Sequence, residues 1–189
     1  MPLEGKPKLI FGSSMQALTH VARGRVRPQT ERRLIELGLP LFTPASPTYP
    51  ERDWVEAITL IAADLLPGAP AELQHRNLGA IAVGRIAEMF VGRAMIAATR
   101  ILGVPRMLER TTNNLRAGAN FIEARLTRLD ETSWQLWISD VSGLPGFYAG
   151  LMEGGRRIVP GWIDEMRIIS LDGASCTYVL NRRAPSRLA

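Results

Sequence analysis

Ser139-Asp140-Val141-Ser142-Gly143-Leu144-Pro145-Gly146-Phe147-Tyr148-Ala149-Gly150-Leu151-Met152-Glu153-Gly154-Gly155 is the stretch whose reading decides the fold. It begins as the end of a strand, turns through the tight elbow Gly143-Leu144-Pro145-Gly146, and continues as a short helix. The small residues Gly146, Ala149 and Gly150 let a second backbone come close to that helix. The stretch therefore sits where a sheet hands over to its covering helix.

Working outward, the residues before it alternate with period two. From Ala119, Ile122, Ala124 and Leu126 alternate with Phe121, Glu123 and Arg125; Asp130-Glu131 then turns the chain into Trp134 to Ile138. After the elbow, a helix over Pro145 to Val159 leads to a second hairpin: Met166 to Leu171, a turn at Asp172-Gly173, and Cys176 to Leu180. The order is strand-strand-helix-strand-strand.

The first half of the chain reads as helices. Leu9 to Arg23 forms the first, with Gly12-Ser13-Ser14 as its cap, and a second runs from near Pro28 to Gly38. Leu39 to Pro50 carries Pro40, Pro44, Pro47 and Pro50 and reads as an extended connector. A third helix covers Glu51 to Leu66, with Trp54, Ile58, Ile61 and Leu65 at helical spacing and Pro67-Gly68 as its stop. Pro70 opens a longer helix to about Val91, where Gly79, Ala80, Ala82 and Gly84 predict a close crossing. Ala94 to Leu102 and Arg106 to Leu115 extend the helical part across a break at Gly103 and Pro105. The expectation is an α+β fold in one domain over 1–189. A helical layer at about 9–115 packs on one face of a four-stranded antiparallel sheet at about 119–182. Ala184 to Ala189 reads as a frayed tail.

Composition excludes several functions. The formal charge is +5, but 21 of the 23 basic residues are arginines scattered among acidic and apolar positions, which argues against a nucleic-acid-binding surface. No apolar run has the length of a membrane span, and Leu9-Ile10-Phe11 is too short for the apolar core of a secretory signal. A single cysteine, Cys176, excludes an internal disulfide and fits a reducing, cytoplasmic setting.

The search for catalytic chemistry finds no set of residues. His20 and His75 lie on different helices, and with one strand cysteine they make no zinc site. Gly12-Ser13-Ser14 lacks the second glycine of a nucleophile elbow, since Gln16 stands there, and Gly79, Gly84 and Gly92 match no phosphate-binding fingerprint. Asp140 reads as a cap for the elbow rather than half of an acid–base pair with Glu153. Trp134 and Trp137 point to opposite faces of their strand, so one of them lies away from the main helical layer.

Leu115 to Phe121, the stretch from Asp140 to Gly154, the Gly12 to Leu18 element and the Tyr49-Pro50 to Trp54 entry into helix three together resemble a paralogous myxobacterial family of uncharacterised proteins, domain of unknown function 2378. That family is distantly similar to a superfamily of TRAPP subunits, 4-vinyl-reductase-type domains and haem nitric-oxide-binding domains. The resemblance implies a non-catalytic, dimeric module that binds an apolar small molecule between helices and sheet, or an interaction subunit with no ligand. A basic nucleic-acid-binding regulator is a weaker alternative, resting on charge alone. The haem branch uses a helical histidine and a Tyr-x-Ser-x-Arg element; Tyr178-Val179-Leu180-Asn181-Arg182 does not supply the latter, so the expectation is no cofactor, with haem disfavoured. Covalent acylation is disfavoured too, because Cys176 falls on a strand. The candidate ligand-binding residues are Leu78, Ile81, Met89, Phe121, Trp137, Phe147 and Tyr148, with no catalytic and no metal-binding residue.

Overall fold

The computed structural model of the chain describes residues 6–39, 41, 46–88, 90–157, 159 and 161–182, with 86–102 and 157 described by their backbone alone. Met89, Pro40, Pro44 and the tail from Ala184 lie outside the described residues.

In chain order the elements are β1 (Leu9–Phe11), α1 (Gly12–Ala22), α2 (Pro28–Glu36), β2 (Thr48–Pro50), α3 (Glu51–Leu65), α4 (Ala71–Glu88), α5 (Phe90–Arg116), β3 (Ala124–Arg128), β4 (Ser133–Ile138), α6 (Pro145–Gly154), a single 3₁₀ turn at Gly155–Arg157, β5 (Glu165–Asp172) and β6 (Ser175–Asn181). The four later strands form one antiparallel sheet in the order β3-β4-β6-β5. Its inner face is a row of buried side chains: Ala124, Trp134, Leu136, Ile138, Met166, Cys176, Tyr178 and Leu180. The register aligns them, since Trp134 faces Leu180 and Leu180 faces Met166, while Leu136 faces Tyr178. Period-two alternation thus places every second residue in one core.

Helix α6 joins that sheet to the helical layer. The Tyr178 hydroxyl donates to the Pro145 carbonyl at 3.0 Å and pins the start of α6 on the inner face. Along its other side, α6 runs parallel to α4 with backbone against backbone. A Cβ added at Gly146 would lie 2.5 Å from the Glu72 oxygen and one at Gly154 2.7 Å from the Ala80 oxygen; at Gly150 it would overlap the Arg76 oxygen, and at Gly79 that of Phe147. Only glycine lets the two helices meet at this distance. Arg76 locks the seam: its guanidinium binds both carboxylate oxygens of Glu153 and donates to the Met166 carbonyl at 2.7 Å, tying α4 and α6 to β5. On the far side, Trp162 lies against Gly155 and donates its indole N–H to the Met152 carbonyl at 2.6 Å.

The break expected in α5 falls at Gly103, whose φ of 75° and ψ of 165° leave the helix two residues before Pro105. Three expectations need correction. Leu9–Phe11 is a strand rather than the first turn of α1, because it pairs with Thr48–Pro50 in a two-stranded sheet; the proline-rich connector therefore ends in structure. Gly12 does not serve as part of a cap. It passes so close to the Ser46 carbonyl that any Cβ would overlap it, and the residue at the N-cap position is Phe11. β3 begins at Ala124 rather than Ala119. Ala119 makes only an isolated bridge to Ile10, and Asn120 binds the first strand through its backbone N–H to Leu9 O at 3.0 Å and its side-chain oxygen to Leu9 N at 2.9 Å.

Candidate ligand site

The elbow builds a polar cluster beneath the helical layer. Asp140, 8% exposed, accepts the Ser142 amide at 2.8 Å through one carboxylate oxygen. This bond holds the turn in which Ser142 and Gly143 take φ values of 50° and 69°. The other oxygen takes the Lys8 ammonium at 2.7 Å, and Lys8 also reaches Glu51 at 3.6 Å and stands 5.4 Å over the Phe121 ring. Lys8 is held above its ordinary pKa, first by the hydrogen bond it donates to Asp140 and, against some desolvation, by the charges of Asp140 and Glu51.

Behind this ion cluster three aromatic rings pack together, Phe147 edge to face with both Trp54 and Tyr148, and those two tilted to each other. Trp54 of α3 lies 5.4 Å from Phe147 and 6.3 Å from Tyr148, and the latter two are 5.9 Å apart. Trp54 and Tyr148 are 4% and 2% exposed, yet the Trp54 indole N–H, the Tyr148 hydroxyl and the Ser142 hydroxyl make no hydrogen bond. Tyr148 stands beside Trp54 and feels the charges of the ion cluster. Burial pushes its pKa far up, and the charges of Asp140 and Glu51 raise it further, so both carboxylates lie within electrostatic reach of its hydroxyl. Ser142 sits on Asp140, and Trp54 follows Glu51 by three residues on α3, one helical turn. Buried polar atoms without partners are rare in proteins, and two on neighbouring rings, with a third on the turn that Asp140 holds, require a reason.

A fourth such atom is the Nε2 of His75 on α4. Burial lowers the His75 pKa, which keeps the imidazole neutral and its second nitrogen available as a ligand or acceptor. The two carboxylates weighed as an acid–base pair have separate partners: Asp140 binds Lys8 and Ser142, and Glu153 binds Arg76. Among the described residues no group of three or more His, Cys, Asp and Glu could hold a metal ion, and no helix is long and apolar enough to cross a membrane.

Of the residues expected to bind a ligand, Phe147 and Tyr148 stand in the aromatic group, whereas Phe121 lies under the Lys8 ammonium. Leu78 is fully buried in the core and Ile81 packs against it. Trp137 is elsewhere: strand parity turns it to the outer face of the sheet, with the Arg125 guanidinium 5.0 Å above its ring. Sequence reasoning missed Lys8, Glu51, Trp54 and Ser142 as site residues. Only the entry of Tyr49-Pro50 into the Trp54 helix signalled that this helix start was special.

The family described as Protein of unknown function (DUF2378) matches residues 8–181, and the chain belongs to it. No curated protein matches the chain. Among solved structures it is similar to a variant of Tt H-NOX (TM-score 0.69, 12% identity, covering 93% of this chain and 96% of that one). It is similar also to an oxygen-binding H-NOX domain related to soluble guanylate cyclases (0.65, 10%, 92% and 93%) and to the Fe(II) unliganded H-NOX protein from K. algicida (0.65, 10%, 95% and 100%). These likenesses show the fold. They also correct the expectation that haem is disfavoured, because the solved structures of this fold include one that probes heme distortion in the H-NOX family. Lack of a Tyr-x-Ser-x-Arg element at Tyr178 is no ground for setting haem aside, and the neutral His75, a helix histidine with an unpartnered Nε2, is chemically suited to an iron.

Proposed function

We propose that this member of the DUF2378 family is a non-catalytic sensory domain, cytoplasmic and homodimeric, that binds a small and largely apolar ligand among α3, α4 and α6. The observation that carries this reading is the pair of unpartnered polar atoms inside an apolar core, Trp54 Nε1 and the Tyr148 hydroxyl, together with the unpartnered Nε2 of the half-buried His75 on α4. A ligand bound there would be enclosed by apolar side chains and oriented by a few polar groups, which is the usual make-up of a small-molecule site. Haem is the first ligand to test. His75 would hold its iron, and a bound haem would supply a site for a diatomic gas.

The test is native mass spectrometry of the protein as purified, followed by titration with haemin under absorbance detection. An added mass that disappears under denaturing conditions, or a saturable shift of the haemin absorption band that His75→Ala abolishes, supports the reading. Bare chain mass, no haemin shift and no thermal shift with a panel of apolar compounds would sink it.

One observation favours a second reading. Ile169 and Leu171 on the edge strand β5 are 54% and 59% exposed, as expected of a sheet edge that pairs with another chain. A protein that sediments as a monomer at all concentrations and captures no relative would count against that reading and against the homodimer.

A further inference from the structure

We infer that the Trp54, Tyr148 and Ser142 cluster is a recognition site for a neutral, oxygen-bearing organic molecule, held by its acceptor oxygen and enclosed by the aromatic rings. This deepens the sensory reading and rests on it. The donor set fixes the ligand's chemistry. An indole N–H can only donate. The Tyr148 hydroxyl stays protonated across the physiological range, because burial and two neighbouring carboxylates oppose its ionisation, so it has a proton to give. Ser142 adds a hydroxyl that can rotate to donate. The unmet need of the cluster is therefore an acceptor.

The surrounding charges set the second requirement. Asp140 and Glu51 lie within reach of the Tyr148 hydroxyl and would repel an anion placed there. The nearest cation, Lys8, is already shared between those two carboxylates at 2.7 and 3.6 Å and is not available to neutralise a bound acid. A cation is disfavoured in turn, because Lys8 already answers both carboxylates and the indole N–H has no lone pair to offer. What remains is a ketone, an ether, an ester or an alcohol with an apolar body to lie against Trp54, Phe147 and Tyr148.

Two other buried aromatic donors show that the backbone can satisfy such groups here. Tyr178, the other deeply buried tyrosine on this side of the sheet, finds a carbonyl at Pro145, and Trp162 finds one at Met152. The backbone can supply acceptors to aromatic donors here, and at Trp54 and Tyr148 it does not.

The probes are cyclohexanone and its isostere methylenecyclohexane, which differ in the acceptor oxygen alone. Binding is followed on the full chain through the Trp54 indole N–H signal in a nitrogen-correlated NMR spectrum, assigned with Trp54→Phe. Cyclohexanone is expected to move that signal saturably and to bind about tenfold more tightly than methylenecyclohexane, as one hydrogen bond to a buried donor allows. Tyr148→Phe is expected to weaken cyclohexanone binding about three- to tenfold, with a melting temperature equal to or above that of the parent. Equal affinity for the two probes, or a Tyr148→Phe protein that is destabilised with cyclohexanone binding unchanged, would overturn the inference. So would a ligand found by native mass spectrometry on the parent and at the same occupancy on the Tyr148→Phe, Trp54→Phe double variant; in that case the sensory reading survives and this assignment fails. Bare chain mass together with no response to either probe refutes both.

Discussion

Replacing Gly150 with alanine probes the joint on which the whole arrangement depends. The added Cβ would overlap the Arg76 carbonyl oxygen and lie 2.8 Å from its carbon and 3.0 Å from the Ala80 nitrogen, all of them backbone atoms with no flexible end to yield. A carbon approaches a carbonyl oxygen no closer than about 3.3 Å in a favourable C–H···O contact. Helices α4 and α6 must therefore part by roughly 1 Å. That separation also loosens the contacts at Gly146 and Gly154 and stretches the pairing of Arg76 with Glu153.

Two effects oppose each other. Alanine stabilises a helix interior by about 0.5–1 kcal/mol over glycine, and overpacking a tight seam costs about 1–3 kcal/mol or somewhat more. With backbone on both sides the cost falls at the top of that range, leaving a net loss of about 2 kcal/mol. For a chain of this size the melting temperature should fall by about 4–8 °C. Circular dichroism melts and urea titrations measure this. Gly84→Ala on α4 is the control, since a Cβ there meets nothing within 4 Å, and it should gain about 0.5–1 kcal/mol. A Gly150→Ala protein that melts at or above the parent would refute the close seam.

Three further outcomes follow from single contacts. Gly143→Ala forces a side chain onto a φ of 69° and should destabilise by about 1–2 kcal/mol in urea titration; an unchanged midpoint would mean the elbow is not held there. Asp140→Ala removes the acceptor of the buried Ser142 amide and should cost about 1–3 kcal/mol, whereas Asp140→Asn keeps an acceptor oxygen and should cost less, because the half-exposed Lys8 partner adds little; equal losses would refute the turn-holding role. His75 has a folded pKa below its ordinary 6.5 because burial disfavours the charged ring. The unfolded chain therefore binds the proton first, and this contribution to stability, full above about pH 6.5, is lost as pH falls toward the folded value. His75→Phe should flatten the acid side of the melting-temperature profile between about pH 7 and 5, and parallel profiles would show that His75 is not buried neutral.

The later half of the fold was legible because its signals are dense. Each hairpin shows several residues of alternation, so parity alone put Trp134 and Trp137 on opposite faces, and packing then buries Trp134 and turns Trp137 outward. The spacing Gly146, Gly150 marked the seam for the same reason: residues four apart share a helix face. Strands β1 and β2 were not legible. Each has three residues, too few to show a period, and Ile10 and Phe11 extend the apolar stripe of α1 so smoothly that helix was the natural reading. Their pairing joins residues about forty positions apart, which no local pattern records. The candidate site was legible in part. Aromatic bulk beside the elbow pointed to Phe147 and Tyr148, but Trp54 fits the helical spacing of an ordinary core residue. Its unpaired N–H exists only once α3 and α6 are packed together. Setting Trp137 beside Phe147 chose the inner face for it, a choice that parity left open between Trp134 and Trp137 and that the packing of Trp134 decides the other way.

The residues that make the elbow also decide which side of the site can move. Tyr148 sits on a helix fixed to α4 by direct backbone contact, to the sheet by Tyr178 and Pro145, and to β5 by the Arg76 and Glu153 pair. Close-packed contacts of this kind shift as a unit or not at all. The fourth side is different: it is closed by Lys8, half exposed and held by ionic contacts to Asp140 and Glu51, and ion pairs at such exposure are weak. A ligand that displaces the Tyr148 ring therefore meets rigid walls in three directions and a soft one toward β1. The expected signature is faster hydrogen exchange at the Leu9 and Ser142 amides on binding, with the α4–α6 seam unchanged. Exchange that quickens along α6 instead would show that the seam, and not the ion cluster, is what yields.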